Sequence, residues 1–508
     1  MKLYPIIRDA WGQLRGYRRW SIRRAVACTM RLSPEEVAAR SAQLARARYR
    51  RALQQFPAYA ELVRQHTGQA DIESLPFEQL PILSKSDLRQ IQSTVHAPFR
   101  AFRVFRGSKI IRHSTGGSTG QPFSFYITRE SYEWRTAVSD RGYSWALAEE
   151  GRRSFYVWGT AIRKPGRKQR IKENLHHWLQ NRYYFDSFDF TDARKAECCR
   201  QINRFKPVSL VGYSGNLIEL ARYVARNPGV LTWRAPTCVT AAEGLRPGMR
   251  EWLETHLADE VFISYGSREF MLIGMEGRDH DGYLLSADNL YVEVVDDTGQ
   301  PCGPGQTGRI VVTDLHNEAT PFVRYEIGDM GKAESGKQKA EIEQEGTEET
   351  KGVGPDSLRG TGHGKGTQRE VASGEWTVES GNVNEGGPLS PTISTFDFQL
   401  SAFPKLASVE GRLQEVIVRA DGEQLTALFV PHLMKEFPWV DGYQVVQEAP
   451  GKITLHLVTQ DVDWVEKARE IERTLREKLG AGMRISMQRV EQLQKTASGK
   501  TPIVRNRR

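Results

Sequence analysis

Val261-Phe262-Ile263-Ser264-Tyr265-Gly266-Ser267-Arg268-Glu269 is the stretch that decides the fold. Its apolar start has strand composition, and it runs straight into a segment bounded by Gly and Ser. Three earlier runs have the same character: Phe155-Tyr156-Val157-Trp158, Val208-Ser209-Leu210-Val211 and Thr237-Cys238-Val239-Thr240. Helical stretches such as 214–226 and 247–257 separate them. Strands alternating with helices predict a largely parallel sheet, and open sheets of that kind place ligands outside the carboxyl ends of their strands. Ser264 to Ser267 therefore fall where a ligand would lie. Tyr265 offers a ring to stack on a base, and Glu269 offers a carboxylate to a hard cation such as Mg²⁺. Further on, Tyr291–Val295 and Arg309–Val312 flank Asp296-Asp297-Thr298-Gly299 and predict a hairpin or meander.

The full chain has 508 residues, more than one core usually serves, so two or three packed units are expected. No apolar run approaches the roughly 20 residues of a membrane span, and the N-terminus shows no apolar stretch followed by a cleavage site. The expected location is cytoplasmic. The five cysteines are scattered and form no Cys-x-x-Cys pair, which favours free thiols over disulfides or zinc.

Residues 1–50 carry twelve Lys/Arg against three acidic residues, which accounts for the whole net charge of +9. No aromatic platform or base-reading motif accompanies them, so nucleic acid is not an expected partner. A solvated helix face is the first reading, and contact with an anionic surface is the second. Residues 1–70 are assigned to a basic helical N-terminal extension, with a helix over 33–66 opened by the cap Ser33-Pro34-Glu35-Glu36. A large domain spans 71–410. It contains an insertion at 333–394 that is too polar to offset its ordering entropy and is expected to be disordered. A small, mobile α+β domain at 411–508 holds strands at 415–418, 427–430, 453–458 and 484–487, and a helix at 464–479 closed by Gly480.

Three further segments carry chemistry. Ser114-Thr115-Gly116-Gly117-Ser118-Thr119-Gly120 is rich in hydroxyls and glycines, so backbone N–H groups and side-chain donors can turn towards a polyphosphate. It is not a Walker loop, because it lacks the Gly-Lys-[Ser/Thr] ending. In Thr320-Pro321-Phe322-Val323-Arg324-Tyr325-Glu326-Ile327-Gly328-Asp329, an Asp after Gly in a tight turn is a natural acceptor for a ribose diol. In Thr496-Ala497-Ser498-Gly499-Lys500, a lysine on a Gly-containing loop can meet a developing negative charge.

In this order the segments resemble the adenylate-forming superfamily of acyl-CoA synthetases, carrier-loading adenylation domains and luciferases. The similarity is strongest to the phenylacetate-CoA ligase-like branch, which includes proteins of capsular polysaccharide loci. Leu80-Pro81-Ile82-Leu83-Ser84-Lys85, Ala241-Ala242-Glu243-Gly244-Leu245 and Thr313-Asp314-Leu315-His316-Asn317 carry that finer likeness. The resemblance covers about 70–332 and 403–505.

It implies ATP, Mg²⁺ and a carboxylic acid as ligands, with coenzyme A, a carrier protein or a glycan or amine as acceptor. It implies that Ser114, Thr115, Gly116, Gly117, Ser118, Thr119 and Gly120 hold the β- and γ-phosphates. Glu243, Gly244, Ser264, Tyr265, Gly266 and Ser267 would border the adenine, Glu269 would bind Mg²⁺, and Asp329 would take the ribose hydroxyls. Arg412 would contact the nucleotide, and Lys500 would bridge carboxylate and α-phosphate. The chain departs from the pattern at Gln414, where the family's hinge residue falls, at Gln121, often Lys, and in lacking the cysteine cluster that some relatives carry after the ribose-binding Asp. A non-catalytic nucleotide- or membrane-binding protein is the reading from another class.

Overall fold

The computed structural model describes residues 18–95, 110–114, 123–159, 167–187, 190–242, 244–245, 247–334, 403–410, 416–422, 424–427, 429–434, 436–437, 439–480, 482–494 and 502–506. Of the insertion expected at 333–394, Ala333 ends a strand and Glu334 follows it, and residues 335–394 lie outside the described residues.

The described residues begin with helices α1 (Arg19–Thr29), α2 (Pro34–Gln55), α3 (Pro57–Thr67) and α4 (Lys85–Val95). The cap read at Ser33 is a full capping box: Ser33 Oγ accepts from Glu36 N at 3.2 Å, and Glu36 Oε2 accepts from Ser33 N at 2.7 Å. The expected single helix over 33–66 is two. Pro57 has no N–H for the helical ladder, so the chain leaves helical geometry at Phe56 (φ −127°, ψ 88°) and restarts with Pro57 in the first turn. Ala45, Tyr49, Ala52 and Val63 of these helices share one core with Val292, Ile310 and Val312.

Next come β1 (Ile110–Ser114), β2 (Ser124–Thr128), α5 (Arg129–Trp145), β3 (Ser154–Trp158), α6 (Arg167–Leu179), β4 (Arg182–Asp186), α7 (Asp192–Phe205), β5 (Ser209–Tyr213), α8 (Ser214–Arg226), β6 (Ala235–Ala241), α9 (Met249–His256) and β7 (Ala258–Ser267). Then follow β8 (Met271–Glu276), β9 (Tyr283–Leu285), β10 (Leu290–Val295), β11 (Thr307–Asp314), β12 (Tyr325–Ala333) and β13 (Lys405–Glu410). The four apolar runs of the sequence are β3, β5, β6 and β7, interleaved with helices as expected.

Eleven strands form one sheet in the order β10-β11-β12-β13-β9-β8-β7-β6-β5-β3-β4. From β4 to β7 every pairing is parallel. From β7 to β10 every pairing is antiparallel. The fold is therefore mixed α/β, and β7 is the strand where it changes. The amino half of β7 pairs with β6 (Val239↔Phe262), and its carboxyl half pairs with β8 (Ser264↔Met275), with a register shift between Tyr265 and Gly266. Gly266 is required there: a Cβ on it would lie 2.1 Å from the Met271 carbonyl oxygen.

The C-terminal part holds β14 (Val416–Val418), β15 (Gln424–Thr426), α10 (Phe429–Met434), β16 (Gly442–Ala449), β17 (Lys452–Val458), α11 (Trp464–Leu479), β18 (Arg484–Arg489) and β19 (Val504–Asn506). A four-stranded sheet β18-β17-β16-β19 packs its apolar face on α11 through Ala468, Ile471, Leu475 and Leu479. The strand expected at 427–430 is instead a turn entering α10. Pro431 cannot donate to a sheet ladder but is tolerated in a first helical turn.

Arg324, just before β12, ties the β10–β11 hairpin to the segment 78–80. Its left-handed backbone (φ 46°) aims a buried guanidinium at Glu293, 3.2 Å away. It also donates to the carbonyls of Glu78 (2.6 Å), Leu80 (2.7 Å) and Gly299 (2.8 Å). Burial pushes the Glu293 carboxyl up to about 7, although Arg324 pulls it down. Arg324→Met should cost about 3–5 kcal/mol in denaturant unfolding, because it leaves a carboxylate and three carbonyls buried without their donor. Adding Glu293→Leu should recover part of that loss.

Candidate active site

The site is built where β7 changes partners. Ser264, Tyr265, Gly266 and Ser267 form its last four residues, and Glu269 sits in the turn to β8. Ser264 Oγ donates to the Thr240 carbonyl at 3.0 Å, which binds the switch strand to the end of β6. Ser267 Oγ accepts from Phe270 N at 3.2 Å and shapes the turn that carries Glu269.

Two of the predicted groups meet across the sheet. Tyr265 Oη donates to Asp329 Oδ2 at 3.0 Å, and both side chains are buried. Asp329 follows Gly328 inside β12, not in the tight turn expected: the left-handed Gly328 (φ +84°) lies in an irregular stretch where the register to β11 shifts, Arg309↔Met330 and Val311↔Glu326. Tyr265 was expected to stack on a base. In the structure its hydroxyl orients the Asp329 carboxylate, and its ring stands 6.0 Å from that of Tyr283.

Glu269 has neighbours that its sequence position does not reveal. Tyr325 Oη donates to Glu269 Oε1 at 3.3 Å, and Lys85 Nζ lies 3.8 Å from the same oxygen. Burial, reinforced by Glu269, pushes the Tyr325 phenol far above its usual range, so it remains a donor. Arg135 of α5 donates to the Glu269 backbone carbonyl and to the Asp314 carboxylate. The motif Leu80–Lys85 explains how Lys85 arrives. Leu83 bridges to Tyr325 in parallel fashion, donating to the Arg324 carbonyl at 2.8 Å and accepting from Glu326 N at 2.9 Å. Ser84 and Asp87 then cap α4: Ser84 N donates to Asp87 Oδ2 at 2.7 Å, and Asp87 N donates to Ser84 Oγ at 3.3 Å. Lys85 thus begins a helix beside Glu269.

The Ser/Gly loop joins β1 to β2. Only Ser114 of its predicted residues is described, at the end of β1, paired with Ser124. Thr115, Gly116, Gly117, Ser118, Thr119, Gly120 and Gln121 lie outside the described residues, but the hairpin carrying them is held firmly. Thr320 Oγ1 accepts from Tyr126 N at 3.0 Å and donates to its carbonyl at 2.9 Å. Asn317 Oδ1 accepts from Thr128 N at 3.2 Å, and its Nδ2 donates to the Tyr126 carbonyl at 3.1 Å. Beneath the hairpin, Phe123, Phe125, Phe270, Phe322 and Tyr325 pack edge to face. His113 stacks on Phe125 at 5.7 Å, and burial, then Arg135 and Arg268, hold its pKa below the usual value.

Gly244 is described and exposed, two residues after Ala242, whose φ of +72° is strained for a residue with a Cβ. Glu243, Arg412, Gln414 and Lys500 lie outside the described residues. The structure therefore brings together Ser264–Ser267, Glu269 and Asp329, and adds Lys85, Tyr325 and Arg135. Among the described residues no group of three or more His, Cys, Asp or Glu converges as a metal cage. A single buried carboxylate suits Mg²⁺, which keeps waters and substrate phosphates for its remaining positions. Trp158 and Tyr213, whose rings are 4.2 Å apart, and Ala242 pack against the apolar core of the C-terminal part.

Comparison with known proteins fits this geometry. A family model of the CapK C-terminal domain matches residues 417–507. "Protein CapK" of Staphylococcus aureus is 22% identical over 280 residues, 54% of this chain and 59% of that protein. A phenylacetate-coenzyme A ligase of Thermus thermophilus is 26% identical over 270 residues, 52% of this chain and 57% of that one. The chain thus spans less than two thirds of the length of the curated relatives it matches. A solved structure of 2-hydroxyisobutyryl-CoA ligase, in complex with 2-HIB-AMP and CoA in the thioesterification state, superposes with a TM-score of 0.52 at 16% identity. It covers 92% of this chain and 90% of that one, a likeness of fold.

The loop 314–320 also carries a pH signature. His316 stacks on Trp134 at 3.9 Å with the planes 2° apart, and its Nε2 donates to the Asp288 carbonyl at 2.8 Å. Burial lowers its pKa. Below about pH 6.5 the unfolded chain takes up a proton that folded His316 resists, so stability falls as pH falls through that range. His113, His176 and His177 are shifted the same way. Denaturant midpoints at pH 7.5 and pH 5.5 should therefore differ in the wild type, and differ less in His316→Gln.

Proposed function

Because the chain belongs to the adenylate-forming superfamily, in the branch that contains CapK and the phenylacetate-CoA ligases, we propose that it activates a carboxylic acid with ATP and passes the acyl group to coenzyme A. The observation that carries this reading is the pairing at the switch strand: Tyr265, near the end of β7, with Asp329, and Glu269, in the turn that follows, with Lys85.

The two half-reactions place definite demands on these residues. In the first, a carboxylate oxygen bonds to the α-phosphorus of ATP and the bond to pyrophosphate breaks. The attacking and attacked groups are both anionic, so cations and precise positioning supply most of the acceleration. Asp329, oriented by the Tyr265 hydroxyl, takes the ribose hydroxyls. Ser264 to Ser267, Glu243 and Gly244 border the adenine, and Arg412 contacts the nucleotide. Ser114 to Gly120 hold the β- and γ-phosphates on a hairpin pinned by Asn317 and Thr320. Glu269 would hold Mg²⁺, which when bound neutralises phosphate charge. Lys85 supplies a cation at the same carboxylate and offsets the Gln that stands at position 121 of the loop. Lys500 bridges the carboxylate and the α-phosphate. In the second half-reaction the thiol sulfur bonds to the acyl carbon, AMP departs with the bonding pair, and the thiol proton goes to solvent.

A second reading changes only the acceptor, to a carrier-protein thiol or a glycan or amine group. The match of the C-terminal part to the CapK family model favours it, since in the superfamily that part helps form the acceptor face.

ATP–pyrophosphate exchange over a panel of aromatic and aliphatic acids tests the first step. At least one acid should support exchange, and Glu269→Gln, Asp329→Asn and Lys500→Ala should each slow it by about 10²–10³. Folded, ATP-binding protein that exchanges with no acid would sink the proposal. Single-turnover transfer from the adenylate to coenzyme A, or to an acyl carrier protein, separates the two acceptors.

A further inference from the structure

Helix α6 is built the wrong way round for a surface helix. Such helices normally turn an apolar stripe inward and a polar face to water. Here Ile171, Leu175, Trp178 and Leu179, spaced i, i+4, i+7 and i+8 on one face, are 67%, 54%, 70% and 41% exposed. They are four of the eight large apolar side chains exposed among the described residues. The face turned to the protein is polar: His177 packs its ring 4.2 Å from Tyr184 of β4, and Glu173 is half-buried beside it. Contiguous exposed apolar surface of this kind marks an interaction site.

The charge says what covers it. Arg167, Lys168, Arg170 and Lys172 fall in the first six residues of α6, against one acidic residue, Glu173, in the whole helix. A basic, acid-poor segment running into an apolar face complements an anionic partner. The neighbouring element repeats the pattern. Glu150 accepts from Arg19 (3.1 Å) and Arg23 (2.9 Å) of α1 and from Gln180, just past α6, at 3.2 Å. On α1, Trp20 is half exposed with the Arg24 guanidinium 5.7 Å from its ring, and the Arg18 side chain at its start is exposed. The two helices, joined through Glu150, therefore each carry an exposed tryptophan and basic residues in one short segment. Tryptophan and cationic side chains on a convex apolar helix are what an in-plane interfacial helix uses: the rings sit at headgroup depth and the cations meet anionic headgroups.

We propose that the exposed face of α6, with α1 beside it, docks this protein on an anionic lipid surface. No helix of the described residues is long and apolar enough to cross a membrane, so the contact is peripheral. The site lies apart from Glu269 and Asp329, and the proposal stands or falls separately from the adenylation chemistry.

Flotation of the full chain with vesicles tests it. The protein should float with phosphatidylcholine–phosphatidylglycerol vesicles at low salt, float poorly with phosphatidylcholine alone, and be released by raised salt. Leu175→Glu and Trp178→Glu should each lower the partition at least about tenfold, the value of one buried apolar side chain. Both positions are exposed, so their unfolding midpoints should match the wild type. Lys172→Glu should weaken binding to the anionic vesicles several-fold. Absence of flotation, or flotation indifferent to these variants, overturns the proposal. So does a wild-type dimer that Leu175→Glu dissociates, or binding to an acidic carrier protein, lost in Trp178→Glu, in place of vesicle binding.

Discussion

Everything in the candidate site depends on one backbone constraint: β7 must pair in parallel with β6 and antiparallel with β8. A strand can do both only if its ladder is reset partway, and here the reset falls between Tyr265 and Gly266. Close approach of the Met271 carbonyl leaves no room for a side chain at 266. The reset turns Tyr265 towards Asp329 and delivers Glu269 beside Tyr325 and Lys85. The site is therefore a by-product of the way the parallel and antiparallel halves of the sheet are joined.

Buried arginines hold that geometry. Arg135 connects the Glu269 carbonyl to Asp314, Arg141 makes a two-pronged pair with Asp288 at 2.6 and 3.0 Å, and Arg324 gathers Glu293 with three carbonyls. Such pairs add little net stability compared with apolar replacements, but each is costly to break on one side. Their planar, multi-donor geometry suits them to fixing loops in register. All three reach segments next to the site: 269, 288–293 and 314.

Much of this was legible in the residues. Apolar runs alternating with helical periodicity marked β3, β5, β6 and β7, and a capping box at Ser33 and a terminal Gly480 marked helix ends, because these signals are local. Where a local signal was overridden, the cause was also local: proline at 57 split one helix, and proline at 431 turned an apolar run from strand to helix. β16 went unassigned. Its Gly442-Tyr443-Gln444-Val445-Val446-Gln447 carries glutamines at buried positions, and their partners (the Gln494 and Pro502 carbonyls for Gln444, the Val418 carbonyl for Gln447) lie elsewhere in the chain. The tyrosine at 265 suggested a stacking ring, whereas its hydroxyl is what the fold uses.

Sequence alone determined the class of the fold, the order of its motifs and the residue types that could meet a nucleotide, since composition, periodicity and turn chemistry are properties of neighbours along the chain. Only the tertiary structure decided that Lys85 stands at Glu269, that Asn317 and Thr320 pin the hairpin bearing the Ser/Gly loop, and that α6 turns its apolar side outward. Each of these joins segments far apart in the chain, or depends on which side of a helix faces the sheet. Burial and hydrogen bonding in the folded state settle both, and no periodicity in a single segment encodes them.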